Sequence, residues 1–382
     1  VEGERMSLLP SYFVVQIAFA PLPLPFMEAL SEIEIETSVG QASIFRLHFD
    51  LSRNSFGDFD ALAIDIFRPL LPITIRLAFG LGVPMTLASG FVQGARLGAS
   101  NTPGGSTLEV VGMDAIGTMM AHIQQPFIWP NLPDSEVVRT IFAKYALIPV
   151  VVPTPPSRTM VDTITTQRET DAEYVMQLAG RNSYEIYLQP EPLSGLMMGH
   201  FHPALTMAPP QGVLSIDFGL HTNLSSFSVS NDMLQPRGVI SASIDPRTRV
   251  PVPAIAPVSI EPPMGLEPAL NRILPPPIER SLSEDAANPI EMQARALARA
   301  SSSSRAIRAQ GEVDGLKYSR PLLAGLPVLV RGAGRQNSGL YYVTSVTHRI
   351  SRDGWSQSFS ASRNAVGLTG AEIFIDPLEA VA

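Results

Sequence analysis

Between Ser43 and Leu51 the chain alternates. Phe45, Leu47, Phe49 and Leu51 fall on one face; Ile44, Arg46, His48 and Asp50 fall on the other. A period of two predicts a half-buried strand. Ile33 and Ile35 alternate with Glu32, Glu34 and Glu36 in the same way, and Ile73, Ile75 and Leu77 with Thr74, Arg76 and Ala78. From Ser89 the pattern predicts a strand, a turn at Pro103–Gly105, a second strand at Thr107–Val111 and a short helix after Asp114. Several short strands with regular turns suggest a barrel or sandwich.

The period then lengthens. Val137, Val138, Ile141, Phe142 and Tyr145 recur at helical spacing behind Pro133-Asp134-Ser135, which is expected to cap the helix. An apolar strand, Ile148–Val152, follows. Thr170 and Glu173 stand at capping-box spacing. Tyr174, Val175 and Leu178 share the face of the helix they open. Arg181-Asn182-Ser183 ends it, and Tyr184, Ile186 and Leu188 alternate with Glu185 and Tyr187 as a strand. Strands resume over 206–250, ending with Gly238–Ile244. Prolines crowd Pro251–Arg280, which is expected to run extended with little regular pairing. Ile290–Gln310 is predicted helical. The end is a three-strand meander with turns at Gly332–Gly339 and Asp353–Gly354. Its last strand sets Trp355, Gln357, Phe359 and Ala361 against Ser356, Ser358, Ser360 and Ser362.

Composition narrows the function classes. A chain of 382 residues suggests about two to four domains. Only 16% of residues are charged, below the usual quarter, so part of the surface is expected to be covered by partners in an obligate oligomer. The net charge of -8 argues against specific nucleic-acid binding through phosphates. With no cysteine, disulfides, thiolate nucleophiles and Cys-based zinc sites are excluded. No apolar run is long enough for a membrane span. The N-terminal apolar run lacks the basic start and cleavage site of a signal peptide.

Catalytic signals are sparse. Zinc-protease, nucleophile-elbow and Walker patterns are missing from the sequence. The Gly332–Gly339 string has the wrong spacing for a phosphate loop and joins two strands, so it is taken as a hairpin turn. His200 and His202 share one strand face as metal ligands can, but no third ligand is near; an exposed histidine pair is the expectation. Glu169, Asp171 and Glu173 sit where a helix start favours acids, and capping accounts for them better than paired-carboxylate hydrolysis. No catalytic residue, metal site or cofactor is expected. Glu32, Glu34 and Glu36 form either a solvated outer face or a negatively charged channel wall.

Two longer strings carry a family resemblance. Thr170–Tyr187 (TDAEYVMQLAGRNSYEIY) resembles the TDxxFxxxLAxxxGxxxY segment of the contractile-tail baseplate hubs, the phage late control protein D and VgrG hub family. Tyr174 replaces the Phe and Ser183 the Gly. The C-terminal meander resembles the end of the same hubs at Gly339, Tyr342, Val343, Val346, His348, Ile350, Gly354, Phe359, Arg363 and Asn364. A weaker match lies at Gly90-Phe91-Val92, Ser106-Thr107-Leu108 and Gly112-Met113-Asp114. In order, the matches reach from about residue 40 to residue 366.

The resemblance implies a mainly β chain with α+β parts: two tail-tube-like antiparallel β-barrels flanking a small α/β domain. The expected boundaries are 1–125 for the first barrel and 126–205 for the α/β domain. The second barrel would take 206–250 and 311–366, around a Pro/Ser-rich insertion with a helix at 251–310 and before a tail at 367–382. It implies a non-enzymatic homotrimer with a pseudo-sixfold ring, adapting a hexameric tail tube to a trimeric central spike. Its partners would be the spike protein, the first tail-tube ring and other baseplate or tape-measure proteins. It would be made in the bacterial cytoplasm and sit in a virion tail baseplate or injection particle. The chain resembles the separate hub of late control protein D, whose spike is another polypeptide, so Ile373, Phe374 and Ile375 are expected to dock that spike, and Glu32, Glu34 and Glu36 to line the ring's channel. The rival classes are a tail-associated peptidoglycan hydrolase and a carbohydrate-binding β module. Trp129 and Trp355, far apart in sequence, do not favour the latter.

Overall fold

The computed structural model describes residues 12–59, 62, 66–78, 83–102, 104–124, 126–154, 165–232, 234–244, 249–272, 275, 277–282, 289–352 and 354–375. The first stretch forms β1 (Tyr12–Ile17), β2 (Ala20–Pro21), α1 (Leu24–Ala29), β3 (Leu30–Ser38), β4 (Ile44–Leu51), β5 (Pro72–Ala78), β6 (Met85–Gly98) and β7 (Ser106–Met113). The alternating apolar faces of β3, β4 and β5 close one core with Phe26 of α1. Gly112 lets β7 pass the Phe45 ring, which a Cβ there would meet at 2.2 Å. After Asp114 the chain makes only a 3-10 turn at Met119–Ala121, and Pro103 of the predicted turn lies outside the described residues.

The middle stretch forms β8 (Phe127–Ile128), α2 (Asp134–Lys144), β9 (Ile148–Val151), β10 (Thr166–Gln167), α3 (Asp171–Asn182), β11 (Glu185–Pro190) and β12 (Met197–His202). Val137, Val138, Ile141 and Phe142 of α2 meet Tyr174, Val175 and Leu178 of α3 in a second core. The α2 cap is not made by its own residues: Pro133 is the N-cap and has no side-chain group to bond, and the Ser135 N–H donates to Thr154 Oγ1 at 3.1 Å. Asp134 instead accepts from Arg181 Nε at 2.8 Å and Asn182 Nδ2 at 2.7 Å, tying the start of α2 to the end of α3.

The last stretch forms β13 (Val213–Ser215), β14 (Leu224–Asn231), β15 (Gly238–Ile244), β16 (Pro251–Ala256), β17 (Glu267–Pro268), β18 (Ile278–Leu282), α4 (Pro289–Ser304), β19 (Ile307–Asp314), α5 (Gly315–Tyr318), β20 (Pro327–Arg331), β21 (Gly339–Ser351), β22 (Gly354–Arg363) and β23 (Ala365–Val366). Two expectations are corrected here. The proline-dense segment does pair: β16 runs antiparallel and β18 parallel to β15, under α4. β16 is an edge strand, and the Ile255 N–H points outward to Gln293 Oε1 at 3.2 Å. Pro251 and Pro253 share that outward parity, so their missing N–H groups cost no ladder bonds. The predicted helix also stops at Ser304. Ile307, Ala309 and Val313 are buried with period two in β19, which is paired on both sides.

The architecture is mainly β, dominated by one 13-stranded sheet in the order β14-β19-β22-β21-β3-β4-β7-β6-β5-β1-β2, with β20 and then β13 branching from β21. The two expected barrels are not found as closed barrels among the described residues. Instead, β21 pairs with β20 over its first half and with β3 over its second, with a register shift against β22 at Val343/Ser345. In the β21–β3 pairing Val346, His348 and Ile350 share the inward face with Ile33 and Ile35, and Thr347, Arg349 and Ser351 meet Glu36, Glu34 and Glu32 on the polar face, so the two strands match across the seam.

Candidate functional site

Period two on β11 places Glu185 and Tyr187 on one face; the antiparallel register sets His202 opposite Glu185 and His200 opposite Tyr187. The histidines, expected to be exposed, are buried. His200 stacks on Tyr187 with ring centroids 4.5 Å apart. His202 Nδ1 donates to the Pro203 carbonyl at 2.8 Å, and its Nε2 lies 3.2 Å from His200 Nδ1 and 3.4 Å from the Tyr187 hydroxyl. Burial, helped by the neighbouring His202, pushes His200 down to about 4. Tyr342 of β21 donates to Glu185. Arg305 lies 3.3 Å from Glu185 and 3.5 Å from Glu261. These contacts join the α/β unit, the large sheet and the proline-rich segment. Among the described residues no group of three His, Cys, Asp or Glu side chains is placed to hold a metal.

The acids near Thr170 have structural partners. The Thr170 hydroxyl accepts from the Glu173 N–H at 3.3 Å, and Glu173 accepts from the Thr170 N–H at 3.1 Å. Those bonds hold the Glu173 carboxyl below its usual range. Burial acts to raise Asp171, but Lys144 at 2.6 Å, Gln167 at 2.6 Å and Tyr145 at 2.8 Å outweigh it and leave it lowered. Glu169 accepts from the Arg168 N–H at 3.0 Å.

Arg363 and Asn364 hold the chain where the tail leaves the sheet. Arg363 is fully buried and stacks on Tyr341 at 5.0 Å. It donates to the carbonyls of Ser338 at 3.1 Å, Met264 at 3.0 Å and Gly367 at 2.9 Å. Gly265 makes room: a Cβ there would sit 2.5 Å from the guanidinium. Asn364 accepts from the Met264 N–H at 2.8 Å and donates to the Pro262 carbonyl at 3.0 Å. Beyond this clamp, Arg331 donates to the Phe374 carbonyl at 3.0 Å. Ile373 and Ile375 remain exposed along an apolar cleft of about 390 Å³, walled by Met207, Val213, Met264, Leu329 and Leu340.

Glu32, Glu34 and Glu36 lie on the polar face of β3, opposite the buried Ile33 and Ile35. They are ion-paired. Arg46 of β4 lies 3.0 Å from Glu34 and 4.0 Å from Glu36; Arg349 of β21 lies 2.6 Å from Glu32 and 3.6 Å from Glu34. The same face continues across β22, β19 and β14 as a groove of about 360 Å³ lined by Ser226, Ser228, Gln310, Ser345, Thr347 and Ser358. The parity of Arg46 was visible in the alternation of Ile44–Leu51. Arg349 lies more than three hundred residues away in the chain, and no local signal pairs it with Glu32.

No protein-family model matches this chain, and no curated protein matches it in sequence. Solved structures do match. A prophage MuSo2 43 kDa tail protein from Shewanella oneidensis is similar with a TM-score of 0.64 at 12% identity, covering 92% of this chain and 98% of its own. A tail protein from Neisseria meningitidis gives 0.60 at 13% identity, covering 93% and 97%. The E. coli c3393 protein, described as a component of the type VI secretion system, gives 0.55 at 11% identity, covering 91% and 76%. The chain therefore has the fold of phage tail and type VI secretion proteins.

Proposed function

We propose that this chain is a structural baseplate hub of a contractile tail or injection machine. It forms a homotrimeric, pseudo-sixfold ring that adapts a hexameric tail tube to a trimeric central spike, and it catalyses no reaction. The observation that carries this reading is the continuous sheet. It joins both β-rich stretches through β21 and β3, packs one face on cores and leaves the other polar and open. Repeated around an axis, such a sheet lines a lumen, and Glu32, Glu34 and Glu36 are then part of the channel wall. The folds shared with tail proteins support the same reading. Ile373, Phe374 and Ile375 dock the spike, because exposed apolar residues beside an apolar cleft are a liability unless covered.

Light scattering on concentrated protein, or a reconstruction of the assembled particle, should give threefold symmetry; a monomer in both would overturn the ring. Deleting 368–382 should leave the trimer and strip spike from purified particles, whereas unchanged spike occupancy would remove the docking role.

A further inference from the structure

The three acids of β3 do not stand as a bare negative stripe. Glu36, Arg46, Glu34, Arg349 and Glu32 form one zigzag across β4, β3 and β21, with Glu34 bridging both arginines. Three carboxylates against two guanidiniums leave a net charge of one negative. The register carries Glu36 on through Thr347, Ser358 and Glu312 to Ser226, so the row runs into the hydroxyl-lined groove. Arg349 is the most open member, with its side chain 60% exposed.

We infer that this row is a charge-compensated wall, in which Glu32, Glu34 and Glu36 mask Arg46 and Arg349 so that a polyanion touching the face is not held. The inference rests on the proposal that the face lines a passage. A guanidinium exposed on a sheet face is a ready phosphate ligand. Phosphate contacts alone supply most non-specific nucleic-acid affinity. A carboxylate beside each guanidinium cancels its field within the screening length of about 8 Å at physiological salt, and Glu34 also accepts from Arg46 Nη1 at 3.0 Å. The neighbouring serines and threonines add hydrogen-bonding capacity without charge and Glu312 adds a further carboxylate, so the face stays wetted and non-adhesive to polyanions.

The test uses the full chain and a duplex DNA of about 30 base pairs as probe, read by fluorescence anisotropy from low salt to about 150 mM. Wild type should not bind. The Glu32→Gln/Glu34→Gln/Glu36→Gln variant keeps side-chain shape, uncovers both arginines and should bind at a duplex concentration at least about tenfold below the highest at which wild type shows none, with a log–log salt slope near two for each protomer engaged. Adding Arg46→Gln and Arg349→Gln should abolish that binding. Wild type binding the duplex through Arg46 and Arg349 would overturn the inference and make the face a nucleic-acid site. So would a folded triple variant as inert as wild type. Thermal melting controls for folding, and if the triple variant melts early, Glu32→Gln/Glu34→Gln still removes both carboxylates beside Arg349. Light scattering on the same samples separates the two readings: a monomer showing the expected binding pattern keeps the masked wall and loses the ring.

Discussion

Arg363 is a buried cation surrounded by carbonyls: it meets Ser338, Met264 and Gly367, each from a different loop. Arg363→Met should take this donor from the buried Ser338 and Met264 carbonyls and leave Gly367 only the Leu266 N–H, and cost roughly 3 kcal/mol. Arg363→Lys should recover only part, since a single ammonium cannot match the planar fork. Urea denaturation should show a lower midpoint at constant slope. His348 is a different case. Burial pushes it down to about 4 against a usual 6.5, with a bond to the Leu322 carbonyl opposing. The unfolded chain therefore binds the extra proton first as pH falls. The His348 contribution is complete above about pH 6.5 and is lost progressively toward pH 4. Asp114 runs the other way: burial pushes it up to about 6, so it disfavours the fold above that pH and relaxes below it. Comparing His348→Gln with wild type removes this common background. The stability difference between pH 7 and pH 4.5 should be smaller in the variant, by calorimetry.

Among the elements, α3 combines a complete capping box with a left-handed Ser183 cap, φ 50°. Thr170→Ala should cost roughly 0.5–2 kcal/mol through the lost cap. Glu173→Gln should cost less, because glutamine also closes the box. Denaturant melts followed by far-UV circular dichroism would rank them. Should Glu173→Gln abolish a cell-wall hydrolytic activity with folding intact, the hydrolase class would replace the hub. The box and the helix were legible in the sequence because every bond lies within one turn. The end of α4 was not. Ile307 and Ala309 continue an apolar run that suits either period, and only β14 and β22 on either side select the strand.

Across the whole molecule, Arg305 links parts that belong to separate cores. It serves Glu185 of the α/β unit and Glu261 of the proline-rich segment beside the Tyr342 ring. Arg305→Met should strand the largely buried Glu261 carboxylate, leave Glu185 with the Tyr342 hydroxyl, and cost roughly 3–5 kcal/mol. Amide exchange should rise in β11 and the 257–264 loop before it rises in β4 and β7. Uniform loss of protection would mean the units unfold as one and that Arg305 is not a separable joint.

By itself, the sequence determined which residues face inward on β3, β4, β5 and β22, where α2 and α3 begin, and that the chain is mainly β. Those features depend on neighbours a few residues away, where side-chain period and capping spacing act directly. Tertiary structure alone decided that the two β-rich stretches join in one open sheet. It also decided that His200 and His202 are buried against Tyr187, and that the acids of β3 are paired with Arg46 and Arg349. A strand exposes the same alternation whichever edge it meets. Its partner is selected by complementary faces brought together from distant parts of the chain, and no local pattern records that choice.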